Sequence, residues 1–198
     1  MRKKTQTTKE SQPRSPNNSF DGLRNDANDE GYDIIELILQ DHLPLKDLIE
    51  TLKDSDLDRK DKAEALEEFA YLLTCHAKSE EQVLYVAMKN FDELKVESFE
   101  GDTEHAIADQ LVQEINATAD DNEWLAKVKV LAESVEHHIQ EEEEEMLAKV
   151  EQIIPTELRT SLGAEYARLM DEFLKLFEVQ IPRDVKFKSH MTQPVTHL

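Results

Sequence analysis

The chain has 198 residues, of which 34% are charged and 6% aromatic, and its formal net charge is −21 at pH 7. Such a charge repels nucleic-acid phosphates and anionic membrane surfaces, so the folded body should bind neither. Four glycines and six prolines are few for a sheet protein with many tight turns, and this composition predicts an all-α protein with one domain of ordinary size.

The first thirty residues differ in composition from the rest. Met1–Glu30 is polar, and its first nineteen residues carry five positive charges and one negative charge. Such a segment cannot bury enough apolar area to offset the entropy of ordering, so we expect a disordered arm over 1–30. The arm is interpreted either as a solvating tail or as a weak basic contact or targeting element.

Two features predict the compartment. The arm offers no apolar stretch that would serve as a signal sequence, and nowhere do about 18 apolar residues run consecutively. A single cysteine, Cys75, excludes an intramolecular disulfide and suits a reducing environment. We therefore expect a cytoplasmic protein that does not associate with membranes.

Two helices come first, each with apolar residues in steps of three and four. The first is predicted over Tyr32–Lys53, and His42 occupies a position on its apolar stripe. The second is predicted over Arg59–Asn90, where His76 and Glu80 replace apolar residues on the stripe. Both helices therefore direct polar side chains toward the core.

A weaker pattern predicts the third helix over Asp102–Ala119, with Asp102 as its cap and His105 on the inner face. Asp109 follows one turn after the histidine. It is interpreted as a metal ligand, as a hydrogen-bond acceptor for a histidine, or as a surface residue. The segment before this helix, Phe91–Gly101, is expected to be an extended connection that climbs back along the bundle.

The fourth helix, predicted over Asp121–Gln152, repeats the pattern of the second with His138 and Glu142. We prefer His138 to the adjacent His137, because His138 lies on the apolar stripe four residues before the glutamate. A last helix is predicted over Thr156–Phe177. The helical domain should span 31–180, followed by an irregular tail over 181–198.

The helical spacing of these polar residues indicates that they can act together at one site. Residues four apart lie on the same helix face, so His76 with Glu80 and His138 with Glu142 form paired units. Buried carboxylates are costly unless they shift their pKa, find a partner or bind a metal, and imidazoles complete a coordination sphere. The sequence therefore predicts a metal site. Its candidate ligands are His42, His76, Glu80, His105, Asp109, His138 and Glu142.

The order of these motifs resembles the haemerythrin-like HHE cation-binding family. The resemblance covers about Ile34–Val150. It rests on a D-H pair in the first helix, H-x-x-x-E-E followed by L-Y in the second, E-H in the third and H-x-x-E-E-E in the fourth. These stand at Asp41–His42, His76–Tyr85, Glu104–His105 and His138–Glu143.

Membership would imply an antiparallel up-down-up-down four-helix bundle, here with an additional C-terminal helix. It would also imply two non-haem iron ions, with Glu80 and Glu142 bridging and the four histidines terminal. Zinc or manganese in the same cage stays open. The true oxygen carriers of this kind have a second histidine on the third helix, where this chain has Asp109.

Three hypotheses follow for the function. The first is a di-iron protein that binds oxygen, nitric oxide or peroxide, or that buffers iron. The second is a peroxidase or ferroxidase-like enzyme that uses an open coordination position. The third is a metal-dependent sensor or adaptor, whose arm or final helix engages a protein partner.

Overall fold

The structure is a computed structural model that describes residues 31–178. Both the predicted arm, 1–30, and the predicted tail, 181–198, lie outside these residues. Every regular element in the described range is helical, which confirms the predicted all-α class. Across residues 31–178, none of the helices is both long and apolar enough to cross a lipid bilayer.

Seven α-helices follow one another within residues 31–178. They are α1 (Ile34–Lys53), α2 (Arg59–Gln82), α3 (Leu84–Met88), α4 (Lys95–Ala117), α5 (Asp121–Glu141), α6 (Leu147–Ile153) and α7 (Thr156–Glu178). Aspartates cap three of them by accepting backbone N–H bonds of the first turn: Asp33 caps α1, Asp58 caps α2 and Asp120 caps α5. These caps explain why the helices begin where they do.

The second predicted helix is interrupted. Instead of running to Asn90, α2 ends at Gln82, and the short α3 follows after Val83. Within α3, Tyr85 is fully buried. The interruption lies just after Glu80, the glutamate predicted to bind metal.

The third predicted helix begins earlier than expected. It starts at Lys95, so the prediction of an extended connection and of a cap at Asp102 was wrong. Asp102 lies inside α4, and its carboxylate is 2.6 Å from Nζ of Lys89. The first part of this helix does not show a regular apolar stripe in the sequence, because the apolar residues Val96 and Phe99 face solvent and are 73% and 57% exposed.

The fourth predicted helix also differs from a regular one. A π-helical turn, Glu142–Met146, separates α5 from α6. Such turns contain one residue more than an α turn and occur often at functional sites. The irregular turn begins at one of the predicted metal ligands.

Two pairs of helices in the bundle run in opposite directions. Lys53 of α1 pairs with Glu136 of α5, and Lys46 of α1 pairs with Glu143 in the π turn that follows α5, so the residue numbers rise along one element and fall along the other. Contacts between α4 and α5 follow the same opposite order. The interior between these helices is where the predicted ligands meet.

The last helix, α7, packs against α1 and α2. Near its start, Arg159 Nε is 2.7 Å from Asp33 Oδ2, which joins it to the beginning of α1. Further along, Tyr166 and Met170 are buried in the core. The final helix is thus part of the packed interior.

Candidate metal centre

Six of the seven predicted ligands gather in the interior of the bundle. They are carried by α1, α2, α4, α5 and the π turn, and the most exposed of them is 5% accessible. The six are His42, His76, Glu80, His105, His138 and Glu142. Side chains far apart in sequence therefore form one buried polar cluster.

The histidines form two pairs. The ring centroids of His42 and His76 are 5.0 Å apart, and those of His105 and His138 are 4.8 Å apart. In the second pair the two Nε2 atoms are 3.0 Å apart. Two nitrogens that bind one ion at right angles, each about 2.1 Å away, would be about 3.0 Å apart.

Glu80 lies between the two pairs. Its Oε2 is 3.2 Å from Nε2 of His76 and 3.5 Å from Nε2 of His105. It also belongs to both groups of ligand atoms that are close enough to share an ion: one group contains His42, His76 and Glu142, the other His105 and His138. Glu80 is therefore within reach of both groups.

Glu142 belongs to the group with His42 and His76 and also lies near His138. Its Oε2 is 3.3 Å from Nε2 of His42 and 3.6 Å from Nε2 of His138. Each carboxylate thus approaches one histidine of each pair. This arrangement suits two cations, because carboxylates and imidazoles together satisfy the ligand preferences of iron and related metals.

Several inward atoms of the cluster have no hydrogen-bond partner among residues 31–178. These are Nε2 of His42 and His76, both carboxylate oxygens of Glu80 and Oε2 of Glu142. A buried polar atom without a partner costs about 1–3 kcal/mol. Because bound cations would satisfy all of these atoms together, the side chains present fit a metal site.

Electrostatics of the cluster favour the same interpretation. Burial and the nearby Glu142 raise the pKa of Glu80 well above its ordinary value. Burial also acts to raise the pKa of Glu142, but the imidazoles of His138 and His42 outweigh it and lower that pKa. Burial lowers the pKa of His76 well below its usual range, so its imidazole is neutral, as a metal ligand must be.

Carboxylates contact the outer ring nitrogen, Nδ1, of three histidines. Two of these contacts are hydrogen bonds, of 2.9 Å between His42 and Glu143 and of 2.6 Å between His138 and Glu104. Glu81 lies 3.5 Å from Nδ1 of His105, a nitrogen that has no hydrogen-bond partner among residues 31–178. Such outer partners fix the tautomer and the orientation of a metal-binding ring. The fourth histidine, His76, has a tyrosine instead, since its Nδ1 is 3.0 Å from the hydroxyl of Tyr166.

The π turn explains how two consecutive glutamates reach one ring. Glu142 Oε2 approaches Nε2 of His42 at 3.3 Å, and Glu143 Oε1 approaches Nδ1 of the same ring at 2.9 Å. A π turn rotates the chain less from one residue to the next than an α turn does. The set of ligands predicted from the sequence does not include Glu143, although the consecutive glutamates of the H-x-x-E-E-E motif were a usable signal.

Sequence reasoning also missed two tyrosines. Tyr85 donates a hydrogen bond of 2.9 Å to Oε1 of Glu142. Tyr166 donates one of 2.8 Å to Oδ2 of Asp41. The L-Y that follows the H-x-x-x-E-E motif was a signal for Tyr85, whereas Tyr166 stands on a helix without any motif.

Asp109 is not brought into the cluster. Its side chain is 40% exposed, and its carboxylate is 3.3 Å from Nζ of Lys78. One turn after His105 on α4, it turns toward α2 at the surface, where the lysine provides its charge partner. His137, the alternative to His138, is 68% exposed and lies 3.4 Å from Glu141.

A comparison with known families supports this geometry. Residues 33–150 match the family model described as Hemerythrin HHE cation binding domain. The match covers more than half of the chain and includes the six clustered side chains, whereas α7 lies beyond it. No curated protein and no solved structure gave a significant match to the chain.

Proposed function

The chain belongs to the hemerythrin HHE cation-binding family, and on that basis we propose that it is a non-haem di-iron protein. In this proposal His42 and His76 hold one iron ion, and His105 and His138 hold the other. Glu80 and Glu142, which each approach both histidine pairs, would supply carboxylate oxygens to both ions. The observation that carries the proposal is that Oε2 of each glutamate lies 3.2–3.6 Å from Nε2 of one histidine of each pair.

The ligand count supports the binding of a small molecule at the irons. Two imidazoles and two shared carboxylates give each ion fewer protein donors than six-coordinate iron accepts, which leaves positions for oxygen, nitric oxide or peroxide. When bound, ferrous ions would supply electrons to such a ligand. If the irons bind none of these small molecules, the protein would instead buffer iron.

The surrounding side chains have supporting roles in this proposal. The six ligands are buried, which excludes bulk water from the ions. Tyr85 holds Glu142 through a hydrogen bond to Oε1 and leaves Oε2 directed toward the histidines. The hydrogen bonds from His42 to Glu143 and from His138 to Glu104 would keep a proton on Nδ1 of these two rings, so that Nε2 would be free to bind a metal.

Anaerobic reconstitution with ferrous iron tests the proposal. We expect about two iron ions per chain, with an optical spectrum that changes when oxygen or nitric oxide is added. Elemental analysis of protein purified without added metal would separate iron from zinc and manganese. Iron far below one ion per chain, with unchanged thermal stability, would contradict the proposal. His137→Ala is the matched control, because this exposed histidine adjoins a ligand.

The outward position of Asp109 favours a second candidate, an enzyme. With that carboxylate turned to Lys78, the ion held by His105 and His138 keeps an open position for a substrate. Reduction of hydrogen peroxide to two water molecules would consume two electrons from an external reductant and two protons. Steady peroxide turnover with a reductant, lost in Glu80→Ala, would favour this candidate over a simple binder.

A further inference from the structure

Tyr166 joins a ligand histidine to a buried carboxylate. The phenol oxygen is 3.0 Å from Nδ1 of His76, and the hydroxyl donates a hydrogen bond of 2.8 Å to Oδ2 of Asp41. A phenol has one proton to donate, and here Asp41 accepts it. Nδ1–H of His76 must therefore donate to Tyr166, which leaves the lone pair of this ring on Nε2, facing Glu80 at 3.2 Å.

This outer contact differs from those of the other three histidines. Their partners, Glu81, Glu104 and Glu143, are carboxylates whose side chains are 23%, 32% and 26% exposed. Tyr166 is 1% exposed and Asp41 is 8% exposed. The orientation of His76 thus depends on a neutral group in the closed interior, on a helix that carries none of the ligands.

The position of Tyr166 is itself fixed by the docking of α7. Arg159 binds Asp33 at the start of α1, and a Cβ atom at Gly163 would lie only 2.1 Å from the backbone oxygen of Tyr32. Positions 159, 163 and 166 are four and three residues apart, so they share one helix face. An ion pair, a close backbone approach and a buried hydroxyl therefore hold this face of α7 against α1.

We propose that Tyr166 is a positioning residue of the metal centre, through which α7 sets the tautomer and ring orientation of His76. The helix lies outside residues 33–150, which match the family, so this chain supplies one outer contact of its centre from beyond the matched segment. Loss of the hydroxyl should weaken the ion held by His42 and His76 and spare the other ion. This inference rests on the proposed function for the assignment of the ligands.

Tyr166→Phe tests the proposal, because it removes one oxygen and keeps the buried ring. Tyr71→Phe is the matched control: Tyr71 also joins α2 to α7, by donating to the backbone oxygen of Leu174 at 3.0 Å. Zinc, which is redox-silent, is the probe in competition with a chelator. For Tyr166→Phe we expect the affinity of one of two zinc ions to fall about 10–100-fold, and for Tyr71→Phe no change.

Histidine-ring nitrogen-15 NMR of the metal-free proteins gives a second measurement. The wild-type protein and Tyr71→Phe should show His76 with its proton on Nδ1, and Tyr166→Phe should show a mixture of tautomers. Unchanged His76 signals together with wild-type zinc affinity in Tyr166→Phe would overturn the proposal.

The two proposals fail in different ways. A wild-type protein that binds neither zinc nor iron would contradict the proposed di-iron function. The NMR of metal-free protein would still decide the hydrogen-bonding role of Tyr166, since an altered His76 tautomer in Tyr166→Phe supports it and an unaltered one overturns it.

Discussion

The hydroxyl of Tyr85 donates a hydrogen bond of 2.9 Å to Oε1 of Glu142, and both side chains are buried. The two oxygens of this carboxylate therefore have different partners: Oε1 accepts the hydrogen bond from Tyr85, and Oε2 faces His42 and His138. Burial and the charge of Glu142 raise the pKa of Tyr85 well above its ordinary value. The phenol therefore keeps its proton and stays a donor at physiological pH.

Tyr85→Phe should destabilise the metal-free protein by about 1–3 kcal/mol, because Oε1 of Glu142 would be buried without a partner. Urea unfolding in the presence of a chelator measures the change in unfolding free energy. Tyr71→Phe removes a hydroxyl that bonds a backbone oxygen in a half-buried place, so its loss should be smaller, about 0.5–1.5 kcal/mol. Equal losses in the two variants would argue against a special role for the Tyr85 bond.

Glu80→Gln should flatten the pH dependence of stability in metal-free protein. The pKa of Glu80 is raised in the folded state from 4.5, first by burial and then by repulsion from Glu142. Above pH 4.5 the folded state therefore holds a proton that the unfolded state releases, and the wild-type protein loses stability as the pH rises toward the folded pKa. Glutamine does not titrate, so this loss should disappear.

Chemical denaturation at a series of pH values, with chelator present, measures this difference. Glu142 contributes with the opposite sign, because its lowered pKa gives stability that is present above 4.5 and is lost as the pH falls toward the folded pKa. That contribution remains in Glu80→Gln and serves as an internal control. Identical slopes for both proteins above pH 4.5 would be inconsistent with a raised pKa of Glu80.

Asp109→Asn should leave the metal content unchanged. The carboxylate is partly exposed and pairs with Lys78 at 3.3 Å, so we expect a loss of stability of about 1 kcal/mol or less, as for other surface ion pairs. His105→Ala, one turn earlier on the same helix, should lose metal. Elemental analysis after reconstitution measures the metal content of both variants. A lower metal content in Asp109→Asn than in the wild-type protein would indicate that Asp109 is a metal ligand.

Glu143→Gln should weaken metal binding about 10–100-fold, because Nδ1 of His42 would lose its charged partner. The neighbouring Glu144 provides a matched control. It contacts Gln140 at the surface, so Glu144→Gln removes the same charge without affecting a ligand. Chelator competition measures both variants, and similar affinities would show that charge near the bundle surface matters more than the contact with His42.

The spacing of apolar and polar residues along each helix was sufficient to predict the helical class and six of the polar residues that meet in the interior. Because helical periodicity places residues four apart on one face, polar residues on apolar stripes indicate where a buried cluster will form. His76 with Glu80 and His138 with Glu142 are such pairs. The early start of α4 could not be predicted in the same way, since exposed Val96 and Phe99 obscure its apolar face.

The sequence by itself determined the helices and the polar positions on their inner faces, because these depend on the spacing of neighbouring residues. Only the tertiary structure decided the outer contacts, such as Glu104 with His138 and Tyr166 with His76. It also turned Asp109 toward Lys78. Such contacts join residues distant in sequence, and they depend on how the helices rotate and slide against one another when the whole core packs.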